Sequence, residues 1–221
     1  MANTLFQIHP SQALHQLYKM KNYQGANPND ADFIFVGRDP NWAIDIETMP
    51  FFSLIKEYLN DGIAFWNKYK IHHPFLFSEY KEDGKRYHTM FSKLRLPLTF
   101  AHKISFVELI GFPTTGMAKK SNRLFQNYLL SDTNRNHLIQ LEIQLNNPKK
   151  RIFIAWGLID DFKFINRETG LFDKFANLDK SKLDINGLSQ SENIFVHKHF
   201  SDSISNKTIE KISEKVNTYC E

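Results

Sequence analysis

Asp32–Pro40 reads DFIFVGRDP: four apolar residues, aromatic or β-branched, in succession, then a glycine, two charges and a proline. A run with no polar face reads as a short strand buried on both sides, and Gly37-Arg38-Asp39-Pro40 reads as the turn that ends it. Three further runs repeat the pattern: Lys103–Ile110 (KISFVELI), stopped by Gly111-Phe112-Pro113; Arg151–Trp156 (RIFIAW), stopped by Gly157; and Asn193–His197 (NIFVH), followed by Phe200-Ser201-Asp202. Between them lie helix-like segments at Met49–Tyr69, Tyr87–Leu94, Ser121–Leu130, Asn136–Leu145 and Lys207–Tyr219, with Ser11–Met20 ahead of the first strand. Ser11 and Ser205 or Asn206 suit N-caps, and Ile209, Ile212 and Val216 recur on one face of the last helix. Strands alternating with helices imply an α/β fold with a mostly parallel sheet covered on both sides, and ligands bound at the carboxyl ends of its strands. Asn22–Asp32 and Asn177–Glu192 are polar and patternless. No repeat or linker divides the chain, so one domain over residues 1–221 is expected.

The composition agrees with a globular protein. Of 221 residues, 42% are hydrophobic and 24% charged, and 28 basic against 24 acidic residues give +4. Disorder, collagen and coiled coil are excluded. Cys220 is the sole cysteine, so one copy of the chain forms no internal disulfide, Cys-based zinc site or iron–sulfur cluster, and a reducing cytoplasm is expected. The start, MANTLFQIHPSQ, has neither the basic nor the apolar segment of a leader, and no apolar stretch approaches a membrane span. A monomer without cofactor or membrane partner is expected. A pI near 9.0 permits a polyanionic partner without identifying one.

The strand ends carry the candidate chemistry. After the first strand comes Gly37-Arg38-Asp39-Pro40-Asn41-Trp42, by itself no more than a stiffened turn holding a carboxylate at the sheet edge. After the second comes Gly111-Phe112-Pro113-Thr114-Thr115-Gly116, then Lys119, Lys120 and Arg123, a place where amides and hydroxyls can hold a phosphate but where charges more often form a solvated helix face. After the fourth comes His197-Lys198-His199-Phe200-Ser201-Asp202-Ser203; a metal there lacks third and fourth ligands. His72-His73 reads as structural, and Asp45-x-Glu47 as first-turn residues rather than a magnesium site. No P-loop, Rossmann or nucleophile-elbow motif occurs.

In order along the chain, these strand ends resemble the uracil-DNA glycosylase superfamily from Phe33 to about Ser205. Gly37-Arg38-Asp39-Pro40 is similar to its water-activating motif, Ile154-Ala155-Trp156-Gly157 to its Leu-Trp-Gly strand end, and His199-Phe200-Ser201 to its His-Pro-Ser loop. The resemblance implies a three-layer α/β/α sandwich on a four-stranded, mostly parallel sheet of order 2-1-3-4, and hydrolysis of the N-glycosidic bond of a deaminated or modified base in DNA repair. Carried over, Asp39 orients the attacking water and offsets the oxocarbenium charge, while His199 donates to the leaving base. Gly37, Arg38, Asn41, Trp42, Phe51, Phe52 and Glu108 fall to the substrate, the aromatics as platforms for a flipped base. Thr114, Lys119, Lys120, His197, Lys198, Ser201 and Ser203 fall to DNA, with Arg123 and Lys207 on the same face and Ile204 as a wedge into the vacated stack.

The departures carry their own expectations. Asn41 stands for a tyrosine that excludes thymine, implying a wider pocket or another base. Glu108 stands for an asparagine; an ionised carboxylate only accepts hydrogen bonds and favours a ring N–H or exocyclic amine. Phe200 replaces the loop proline, and His197 competes with His199 for the motif. A nucleic-acid-binding protein that no longer cleaves ranks second, and a metal-dependent phosphoesterase using Asp39, Asp45, Glu47 and the two histidines third.

Overall fold

A computed structural model of the chain describes residues 5–81, 84–118 and 122–218. Its elements in order are β1 (Gln7–Ile8), α1 (Gln12–Met20), β2 (Tyr23–Gly25), β3 (Phe33–Gly37), α2 (Phe52–Asn60), α3 (Gly62–Tyr69), α4 (Lys85–Ser92), β4 (Ile104–Glu108), β5 (Thr114–Thr115), α5 (Asn122–Leu129), α6 (Asp132–Leu145), β6 (Arg151–Ala155), α7 (Leu158–Thr169), α8 (Asp173–Ala176), β7 (Leu188–Ser191), β8 (Ile194–His197) and α9 (Asn206–Asn217). The four apolar runs form β3, β4, β6 and β8, and Ser11 and Ser205 cap α1 and α9 by accepting the Leu14 and Thr208 amides.

The sheet has six strands, in the order β2-β4-β3-β6-β8-β7, where the sequence pattern predicts four. The inner pairs are parallel; β2 and β7 add to the two edges antiparallel. These edge strands lie within the two stretches that read as patternless, because a short solvent-side strand needs only to pair its backbone with an exposed edge and carries no apolar run. The helix predicted over Met49–Tyr69 is two helices. Asp61 sits between them with extended backbone, and its carboxylate accepts from the Ile63 and Ala64 amides, restarting the chain as α3. α7 is likewise an addition to the pattern.

Strand alternation divides the core by side-chain type. One face of the sheet carries Ile34, Val36, Val107, Ile152, Ile154, Ile194 and Val196, packed on α5, α6 and α7. The other carries Phe33, Phe35, Ile104, Phe106, Phe153 and Phe195, packed on Trp66 of α3, Phe91 of α4 and the apolar stripe of α9. In this second layer the parallel register aligns Phe106, Phe35, Phe153 and Phe195 in one row across four strands. Phe153 lies 4.6 Å from the Phe35 ring and 4.8 Å from the Phe195 ring, nearly parallel to both. None of the described helices is long and apolar enough to cross a membrane.

Phe153 fills the middle of this row, so Phe153→Ala should destabilise the fold by about 3–5 kcal/mol and Phe153→Leu by less than half as much. Urea unfolding followed by tryptophan fluorescence measures both, and equal losses would contradict a packing role.

Candidate active site

At the carboxyl ends of β3 and β4 a cleft of about 580 Å³ opens. Gly37, Arg38, Asp39, Asn41, Trp42, Glu108, His199 and Ser201 border it, so three of the four strand-end segments singled out in the sequence meet at one cavity. Its other walls are Phe75, Tyr87, Phe106, His73 and His88, with Gln24 and Arg86.

The loop carrying Asp39 is built like a strand. Thr114 of β5 accepts the Trp42 amide at 2.9 Å and donates its own amide to Pro40 at 3.0 Å, bridging the loop to the small β1–β5 sheet. The Thr114 hydroxyl then donates to Asp39 Oδ2 at 2.7 Å, and Asn41 Nδ2 donates to the same oxygen at 3.4 Å and to the Gly116 carbonyl. Burial raises the Asp39 carboxyl above its usual range while these two donors and the Arg38 charge hold it back. The neighbouring Arg38 borders the cleft, but its guanidinium is committed to Asp161 of α7 through two bonds of 2.7 and 2.6 Å and lies over the Phe125 ring. It anchors the loop rather than presenting a free cation.

Gly37 and Glu108 stand opposite each other in register. A Cβ on Gly37 would collide with the Glu108 carboxyl, so the glycine is needed for close approach, not for an unusual backbone angle. The carboxyl lies over the bare strand end and makes no hydrogen bond or ion pair with a described residue. Burial, then the Asp39 charge, push its pKa well above the carboxylate range. That direction favours the protonated carboxyl, which donates as well as accepts, over the ionised form expected from the sequence.

On the opposite lip, His199 Nδ1 accepts the Ser201 amide at 3.1 Å, which leaves the proton of the neutral ring on Nε2. Burial lowers its pKa, the nearby Asp202 opposing and Arg38 reinforcing the shift. The cleft therefore combines an acceptor held by two donors, a carboxyl drawn toward its protonated form and an imidazole that presents Nε2–H. Three histidines pack behind it: His73 and His88 stack with centroids 3.5 Å apart, and His88 Nδ1 faces His72 Nε2 at 3.1 Å. Burial keeps all three well below the usual imidazole value.

Other predicted contacts fall elsewhere. His197 is buried, its Nδ1 donating to the Lys198 carbonyl at 2.7 Å, so His199 alone of the two faces the cleft. Ile204 packs in the core against the aromatic layer and is no wedge. Thr114 is fully buried and supports Asp39 instead of meeting a phosphate. Trp42 reaches the cleft but is 2% exposed, its Nε1 donating to the Tyr18 hydroxyl. Phe51 and Phe52 belong to a third cluster with Tyr80 and Phe77, leaving Phe35, Phe75, Tyr87 and Phe106, beside Trp42, as the aromatic walls. Lys198 bonds the exposed Ser203 hydroxyl, and Arg123 and Lys207 are exposed. Lys119, Lys120 and Cys220 lie outside the described residues. Asp45 and Glu47 are exposed and away from the cleft, Glu47 accepting from Ser11. Among the described residues no group of three or more His, Cys, Asp or Glu could hold a metal ion.

Gln24, Phe75, Arg86, Tyr87, His88 and Phe106 are cleft residues that the strand-end search missed. Phe106 had a signal, since it precedes Glu108 by two residues and shares its face, as does Phe35, which also lines the cleft, with Gly37. Comparison with known protein families, with characterised proteins and with solved structures gives no match.

Two expectations follow from these contacts. Gly37→Ala should leave the fold intact, because the clashing group is a side-chain end, but displace the Glu108 carboxyl; its pKa, followed by carboxyl-carbon NMR, should fall toward the ordinary range. His197, lowered to about 4 by burial, stays neutral at pH 5, where an unfolded-chain imidazole of pKa 6.5 is charged. The unfolded state then binds more protons, so this group subtracts stability as pH drops from 7 to 5, by up to about 1.4 kcal/mol per pH unit. Glu108 pulls the other way, so the measurement is the difference between the wild type and His197→Gln in urea midpoints across that range, with the variant less acid-sensitive.

Proposed function

We propose that this chain is an N-glycosidic-bond hydrolase of DNA-glycosylase type that takes a flipped base into the cleft between Asp39 and His199. The observation that carries this reading is their convergence: an aspartate held by donors and a neutral histidine aimed by its own loop border one aromatic-walled cavity at the strand ends. Breaking the bond leaves positive charge on the sugar and negative charge on the base. Asp39, fixed by Thr114 and Asn41, orients the water and opposes the first charge. The Nε2–H of His199 opposes the second by donating to a base carbonyl. Phe75, Tyr87 and Phe106 offer rings against which a base can stack, and Ser201 contacts the backbone beside it.

Further support comes from the connectivity. The four parallel strands β3, β4, β6 and β8, numbered among themselves, run 2-1-3-4, the order that the resemblance to uracil-DNA glycosylases implies. Asn41, exposed at the cleft mouth where that family carries a tyrosine, leaves room for a base larger than uracil.

Single-turnover cleavage of oligonucleotides carrying uracil, hypoxanthine, xanthine or a thymine mismatch tests the reading. Asp39→Asn and His199→Ala should each lower abasic-site formation about 100-fold or more. No cleavage by the wild type, with salt-sensitive DNA binding retained, would favour a binding protein of the same architecture.

A further inference from the structure

The hydrolase reading uses Asp39 and His199 and leaves Glu108 without a task, although its carboxyl shares their cleft. Three features set it apart. The register puts it across from Gly37, whose missing side chain opens the space over the strand end. Its carboxyl has no donor or cation among the described residues, whereas Asp39 beside it has two donors. The groups that face it electrostatically are Asp39 from the loop after β3, Tyr18 from α1, Tyr58 from α2 and Tyr87 from α4, all acids and none a cation. Of the other charged and titratable groups around the cleft, His73, His88 and His199 are held below the usual imidazole value, the Arg38 guanidinium is spent on Asp161, and Arg86 donates to the Asp202 carbonyl at 3.3 Å without an ion pair to Glu108. Of two neighbouring carboxyls in unequal surroundings, the one with donors ionises and the other keeps its proton.

Resting on the hydrolase reading, we propose that Glu108 is the general acid of the reaction and that the substrate base is a purine. Basicity points to a purine. A carboxylic acid can hand its proton only to an acceptor of adequate basicity; the carbonyl oxygens of uracil are too weak, whereas the five-membered ring of a purine presents the N7 lone pair. In the step, the Glu108 proton passes to N7 as the C1′–N9 pair withdraws into the base. Water adds its oxygen to C1′ and gives its proton to Asp39. Proton exchange through the cleft then returns both carboxyls to their starting forms. One water is consumed, and a sugar hemiacetal and a neutral base are released.

The test is single-turnover kinetics on oligonucleotides containing deoxyinosine, 7-deaza-deoxyinosine or deoxyuridine, for the wild type and Glu108→Gln. Glutamine keeps the shape and the hydrogen bonding but cannot transfer a proton. The expected result is cleavage of deoxyinosine by the wild type, a loss of about 100-fold or more in Glu108→Gln, and a similar loss on the 7-deaza substrate with the wild type. The wild-type rate should also fall toward alkaline pH as Glu108 ionises, a limb absent from the variant. Deoxyinosine cleavage by Glu108→Gln within threefold of the wild type overturns the acid assignment. Cleavage of deoxyuridine alone overturns the purine assignment, and equal cleavage of deoxyinosine and its 7-deaza analogue overturns proton transfer to N7, neither outcome needing any variant to fold. No cleavage of deoxyinosine by the wild type overturns this inference, and no cleavage extending to deoxyuridine, deoxyxanthosine and a thymine mismatch overturns the hydrolase reading with it.

Discussion

Everything at the cleft depends on the register of four parallel strands, and that register is held by the row Phe106-Phe35-Phe153-Phe195. Side chains alternate across a strand, so a slip of one residue exchanges the aromatic and aliphatic faces. The aliphatic face is filled by branched side chains against α5, α6 and α7, and the aromatic face by rings against α3, α4 and α9. Neither layer accommodates the other's shapes without cavities or overlap. The same register sets Gly37 beside Glu108, two residues beyond Phe35 and Phe106. The close approach at the site is therefore an end-effect of packing in the core.

The charges at the cleft are arranged by what is withheld from them as much as by what is supplied. Arg38 is the cation nearest Asp39 in the chain, yet it is bound to Asp161, and the cleft histidines are kept neutral by burial. Glu108 has no ion pair and is pushed toward its uncharged form, while the same push on Asp39 is opposed by Thr114, Asn41 and the Arg38 charge. Two carboxyls of similar intrinsic acidity are thereby made unlike, which is the usual route to an acid and a base in one site.

Much of the architecture is legible in the sequence because doubly buried strands have no polar face to hide. DFIFVG, KISFVELI, RIFIAW and NIFVH become β3, β4, β6 and β8 with ends shifted by a residue or two. Tyr23–Gly25 and Leu188–Ser191 are illegible because an edge strand is specified by its neighbour's free backbone and not by its own side chains. The break at Asp61 is illegible for a related reason: the apolar spacing continues through it, and only the capping carboxylate interrupts the helix. At the site, Asp39, Glu108 and His199 are found by looking at strand ends. Phe75, Tyr87 and His88 come from α4 and the turn before it, far from any strand end, and nothing local marks them. Ile204 and His197 mislead because motif position says nothing of burial.

The loop that carries Asp39 is fastened by backbone bonds to Thr114, by the Asn41 amide to Gly116 and by the Arg38 clamp to α7. A segment tied at three points has already surrendered its conformational entropy during folding, so little remains to be lost when a ligand arrives. The cost of rearrangement falls on the incoming molecule. At the Asp39 wall of the cleft, fit would accordingly be decided by admission: this loop offers one set shape, and a ligand meeting it would have to bend to match.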